Sequence, residues 1–180
     1  MKTKFNQSKL KLAFISAVVA GSVGFSTASF AGTNAATLAI GASVSDTCSI
    51  TTRALNFGDY DGDGSSGKVH GTGGVTATCT LGGAAVITMG QGANAVTGPV
   101  ASTDALPKRQ MAGSSSDYLL YDLYSVGEEG TVWGNTQATG LGFTASAGVN
   151  PEQTVFGTVQ AAQNVAAGSY SDSVLVTITF

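Results

Sequence analysis

The stretch Gly168–Phe180 limits the fold more than any other. It runs Gly-Ser-Tyr-Ser-Asp-Ser-Val-Leu-Val-Thr-Ile-Thr-Phe. Val174, Val176, Ile178 and Phe180 share one face of a period-two pattern, and Leu175, Thr177 and Thr179 share the other. β-Branched and aromatic residues dominate, which predicts a strand. The pattern carries a large apolar side chain, in phase with the core face, to the last residue. Such a strand needs a neighbour on both edges. The expectation is that an earlier segment of the chain, or another chain, supplies the second one.

The opposite end reads as an export signal. Lys2, Lys4, Lys9 and Lys11 precede an apolar run from Leu12 to Val23, and Ser29-Phe30-Ala31 places small residues at a cleavage site before Gly32. The run is short for a bilayer span and lacks a basic stop-transfer flank. Residues 1–31 are therefore expected to be a secretory signal. Removing them from the 180 leaves 149 residues, enough for one domain with a core. Four of the eight basic residues go with the signal and all eleven acidic ones stay, so the net charge becomes −7. That balance argues against nucleic acid and against a polybasic membrane contact.

Charged residues make up only 11% of the chain and 25 residues are glycine, a balance that suits an extracellular β-structure. Cys48 and Cys79 are the two cysteines, and an even count in an oxidising compartment points to one disulfide.

Ala36, Leu38, Ile40, Ala42 and Val44 alternate with small or polar residues and form a second clean strand pattern, almost at the expected mature N-terminus. Cys48–Thr51 is expected to continue it after a bend at residues 45–47. Leu55–Gly58 reads as a short strand or strand end, and Asp59–Gly67 as a turn-rich loop. Val75–Leu81 alternates with Cys79 on the apolar face. Ala85–Met89, Tyr118–Tyr124, Val132–Gly134, Gly142–Ala145 and Gln153–Val159 are further strands, with Tyr118–Tyr124 the strongest central one. No period of 3.6 runs for ten residues. Short strands separated by turn signals predict an all-β sandwich.

Several motifs then combine. Leu55-Asn56-Phe57-Gly58-Asp59-Tyr60, Tyr118-x-x-Tyr121-Asp122-Leu123-Tyr124, Trp133-Gly134, Val155-Phe156-Gly157 and the terminal stretch ending in Phe180 resemble, in this order, the spore coat protein U family, which includes subunits of archaic chaperone–usher pili. The resemblance implies an incomplete immunoglobulin-like sandwich, residues 47–180, completed by a strand from another chain. A periplasmic chaperone would lend that strand first, and the N-terminal segment of the next subunit, delivered at an outer-membrane usher, would replace it. Carried onto this sequence, residues 32–46 hold the donor, with Ala36, Leu38, Ile40, Ala42 and Val44 as its core face. Val174, Val176, Ile178 and Phe180 line the acceptor. The family's disulfide falls on Cys48 and Cys79. The implied location is the cell surface, in a pilus or fimbria serving adhesion and biofilm formation.

Constellations for chemistry are weak. Asp59-Tyr60-Asp61-Gly62-Asp63-Gly64 starts like a calcium loop, but His70 stands where the bidentate Glu belongs. His70 is expected in a loop, and no G-x-S-x-G elbow accompanies it. Gly71-Thr72-Gly73-Gly74 lacks the spacing and following helix of a phosphate loop. No nucleophile–base pair or metal set emerges, so the reading is non-enzymatic, without catalytic residues, metal or cofactor. The alternatives are a coat or matrix protein of the same fold, or a monomeric carbohydrate-binding module that uses Trp133, Tyr118, Tyr121 and Tyr124 as a platform.

Overall fold

The structure is a computed structural model, and it describes residues 31–80, 83–114 and 116–180. The expected export signal lies outside these residues except for Ala31, as does Leu81 of the strand expected at 75–81. Residues up to Gly41 and residues from Ala42 onward are separate units. Within the first, residues 31–41 are exposed and without secondary structure.

The second unit is all-β. Its strands are β1 (Cys48–Arg53), β2 (Val69–Cys79), β3 (Ala84–Met89), β4 (Arg109–Gly113), β5 (Tyr118–Tyr124), β6 (Leu141–Thr144), β7 (Gly148–Val149), β8 (Gln153–Val159), β9 (Tyr170–Ser171) and β10 (Val176–Thr179). The larger sheet has the order β1-β2-β8-β5-β4-β9, with β7 also on β2, and the smaller has the order β10-β3-β6. All ladders between these strands are antiparallel. The sheets share one core. Val75, Tyr121, Leu123, Val155 and Val159 come from the large sheet and Ile87 and Met89 from the small one. Alternation decides which side chains enter it: Leu119, Tyr121 and Leu123 are buried, while Tyr118 and Leu120 on the same strand are exposed.

Four expectations are corrected. The terminal stretch is not one strand. Tyr170–Ser171 pairs with β4 in the large sheet, and the chain then crosses to pair Val176–Thr179 with β3 in the small one. Leu55–Gly58 carries no strand pairing, and Gly58 turns the chain with φ 73°. Val132 makes only an isolated bridge to Tyr124. His70, expected in a loop, lies with Gly71–Gly74 inside β2, where residues 70–74 pair in register with Thr158–Thr154 of β8.

Two side chains tie the sheets together. Trp133 is fully buried and donates from Nε1 to the Ile87 carbonyl at 2.8 Å. Arg109, 1% exposed, donates from Nε to Gly90 O (2.9 Å) and from Nη2 to Met89 O (2.9 Å) and Trp133 O (2.7 Å). Burial pulls its pKa down, while Tyr121, Asp122 and Asp172 oppose that shift.

Candidate functional site

β10 is the starting point. It pairs with β3 through Val176↔Met89 to Thr179↔Val86, and its other edge has no strand partner among the described residues. Beside that edge the core lies open as a groove with a volume of ≈ 1120 Å³. Its floor is apolar: Val75, Met89, Met111, Leu119, Leu123, Val155 and Val159, with Tyr121 among them. One wall is residues 52–63, the run that leaves β1. The other is residues 165–172 with Val174 and Val176.

The walls converge at one end. Cys48 and Ile50 of β1 pack with Ile178 around Ala77, Cys79, Ala85 and Ala145. Cys48 and Cys79 are the first residue of β1 and the last of β2, are register partners, and form a disulfide. The groove opens toward the loops 59–63 and 165–171.

Each wall is pinned by side chains. Arg53 donates from Nη2 to Gly73 O at 3.0 Å and forms an ion pair with Glu152 at 2.9 Å. That contact raises the Arg53 pKa and lowers that of Glu152. Tyr60 donates from its hydroxyl to Gln160 O (3.1 Å) and accepts from Gln163 N (2.8 Å). On the opposite wall, Asp172 Oδ1 accepts from Ala93 N (3.0 Å), Asn94 N (3.2 Å) and Asn94 Nδ2 (3.1 Å), and Oδ2 accepts from the Tyr121 hydroxyl at 2.7 Å. Burial first, then this hydrogen bond and the Asp172 charge, push the Tyr121 pKa well above the usual phenol value, with Arg109 opposing.

The expected site residues are placed as follows. Val174 and Val176 line the groove. Ile178 sits at its closed end. Phe180, 56% exposed, lines a separate small cavity beside Cys48 and Cys79. Ala36, Leu38, Ile40, Ala42 and Val44 are all exposed and carry no secondary structure. The aromatic platform is overturned, because Trp133, Tyr121 and Tyr124 are buried and only Tyr118 is exposed. Asp63 of the calcium-like loop accepts from Ser65 N at 2.7 Å, and among the described residues no three candidate ligands converge. His70 Nδ1 lies 3.0 Å from Thr158 Oγ1 and 3.5 Å from Glu128 Oε2. Leu55 and Phe57 were not expected to shape the groove. Their alternation with exposed Ala54, Asn56 and Gly58 is the sequence signal that could have found them.

Fold and groove together define an all-β, two-sheet domain whose core is open along one strand edge. The chain belongs to the spore coat protein U domain family, whose profile matches residues 34–177. It is 42% identical to "Protein U" of Myxococcus xanthus over 184 residues, covering 97% of this chain and 99% of that one. Among solved structures it is similar to a chain of the chaperone–tip adhesion subunit pre-assembly complex from the archaic chaperone–usher Csu pili of Acinetobacter baumannii. That match has a TM-score of 0.48 and 21% identity, and it covers 76% of this chain but only 40% of the other.

Proposed function

We propose that this protein is a structural subunit of a cell-surface fibre, joined to its neighbours by strand donation. The segment bearing Ala36, Leu38, Ile40, Ala42 and Val44 of one copy enters the groove of the next and lies along the free edge of β10. The observation that carries the reading is the open core beside that edge. A free strand edge over an apolar floor is a template for another chain, since main-chain bonds give pairing and alternate side chains give register. The exposed alternating segment has the matching period. Each copy holds one donor and one acceptor, so the contact is head-to-tail and does not close on itself. In this reading residues 1–31 direct export, a periplasmic chaperone covers the groove before assembly, and an outer-membrane usher delivers the fibre for adhesion and biofilm formation.

The test is deletion of residues 32–44 in the exported protein, co-expressed with its chaperone. The expected product is a folded subunit held by the chaperone that cannot extend a polymer. An unfolded product, or polymer formed as before, overturns the reading. The full-length relationship to Protein U and the family's own description favour a second use of the same contact, as a coat layer. Electron microscopy of the assembled protein separates fibres from a sheet-like layer.

A further inference from the structure

The small sheet has a second edge, away from the groove. β6 pairs with β3 alone and ends the order β10-β3-β6. Among the described residues, no backbone hydrogen bond outside the β3 ladder reaches Leu141–Thr144. The edge lacks the usual protections against pairing. No residue of β3, β6 or β10 is charged, and none is proline. The register runs one-to-one from Ala84↔Thr144 to Ile87↔Leu141, so no bulge bends β6 away. By contrast, β9, at an end of the large sheet, is two residues long and runs into Asp172. Gly142 lies within the β6 edge and is exposed. A Cβ there would meet nothing within 4 Å, and its φ is not positive, so nothing inside this chain calls for glycine. Glycine inside a strand marks a bulge, a bend or the close approach of another backbone, and the register shows no bulge. Leu141 and Phe143, on the inner face, pack on the core yet stay only half-buried.

We propose that β6 is a lateral contact for a second copy of this chain. Two β6 edges pair antiparallel across a two-fold axis and join two small sheets into one. The same four residues stand on both sides. Leu141 and Phe143 then meet their counterparts on the inner face, and Gly142 and Thr144 meet theirs on the outer one. Charge favours a second copy as the occupant. Without residues 1–31 the chain carries −7, so two copies repel wherever their charged surfaces face each other, and least across a sheet that bears no charge. This contact is independent of strand donation, because the groove lies at the opposite edge of the sheet. Four residues a side fall well short of the roughly 1,000 Å² that a stable interface buries. Single subunits therefore associate weakly, and the contact gains strength where many copies are already arrayed. It gives an assembly a way to spread sideways.

The experiment compares the exported, assembled protein with its Gly142→Lys and Val126→Lys variants by electron microscopy and sedimentation. Gly142→Lys is expected to lower side-by-side association by about tenfold or more with an unchanged unfolding midpoint, since it sets like charges against each other at every repeated contact. It also makes the chain less negative, so relief of general charge repulsion predicts the opposite change. Val126→Lys adds the same charge at a loop residue that is 65% exposed, and should associate as the wild type does. Wild-type assemblies that stay apart, Gly142→Lys assemblies that associate as before, or equal loss in both variants each overturn the proposal. A nitroxide label on Gly142→Cys gives a second measurement. Opposed β6 strands bring the two labelled Cα atoms within about 10 Å, so strong dipolar broadening is expected in assembled and in concentrated unassembled protein. Its absence from both overturns the proposal. The label reads the β6 edge whether or not copies are joined end to end, so a failure of strand donation remains distinct from a failure here.

Discussion

Residues 36–44 and 174–180 carry the same kind of pattern and meet opposite conditions. Both carry apolar side chains at every second position, with small or polar residues between them except at Leu175. In the first, Ile40 is 88% exposed and no strand forms. In the second, Val174, Val176 and Ile178 are half-buried against the core, and β3 supplies a ladder on one edge. The difference lies in neighbours, not in residue type. Alternation states which face a strand would bury, but a strand exists only where another backbone takes up its N–H and C=O groups.

Charge substitution should break the comparison most sharply. Ile178→Asp sets a carboxylate on a face packed against both core clusters and should destabilise the unit by several kcal/mol, about 3 or more, read from chemical denaturation. Ile40→Asp should leave the same midpoint within about 0.5 kcal/mol while abolishing polymer growth. Equal loss of stability from both variants would mean that the first segment belongs to its own chain's core.

The disulfide comes next. It joins residues 31 apart in sequence, at the first residue of β1. In the chain-entropy description a loop of that length contributes about 3–4 kcal/mol. Replacing both cysteines by alanine should lower stability by about that amount, measured by urea unfolding with and without reductant. An unchanged midpoint would show that the β1–β2 ladder holds the strand unaided.

The smallest effect sharpens what fastens the second segment. Tyr121→Phe removes the bond to Asp172 that latches the crossing into β10, and should cost about 1.5 kcal/mol. The sign with pH follows from the raised phenol pKa. The folded chain keeps the proton more firmly than the unfolded chain, so the stabilisation is complete below about pH 10 and is lost as the pH rises above it. The wild-type midpoint should fall over that range more steeply than that of the Phe variant. Parallel curves would assign the slope to other groups.

The sequence made the all-β class, the disulfide and most strands legible, because period-two runs such as Tyr118–Tyr124 and Gln153–Val159 are buried on one face by their own neighbours. It misled where glycine had a packing role. His70, beside Gly71, Gly73 and Gly74, looks like a loop residue, yet all four lie in β2, with Leu55, Asn56 and the Glu152 side chain against the glycines. The crossing between β9 and β10 was hidden as well, since Tyr170 on one side of it and Val174, Val176 and Ile178 on the other keep one period-two phase. The groove was legible only through the family resemblance. At its wall, the alternation around Leu55 and Phe57 marks which side chains turn inward, but their seat against Gly157, Gly71 and Gly73 is a long-range contact that the alternation does not specify.

The position of the Cys48–Cys79 bond has a mechanical consequence. β1 lies at the margin of the large sheet, bonded to β2 alone, whereas β2 is held by β8 on its far side. Tension applied through residues 45–47 reaches the chain at Cys48. Without the bond it would peel β1 from its neighbour one hydrogen bond after another, starting at the loaded end. With the bond, once the Thr47–Thr80 contact has been loaded, the pull passes across the sulfurs into β2 before the β1–β2 ladder is stressed, and from there it is shared over the seven β2–β8 register pairs as shear. The same covalent link that shortens the unfolded chain's excursions therefore also sets where a stretched molecule carries its load.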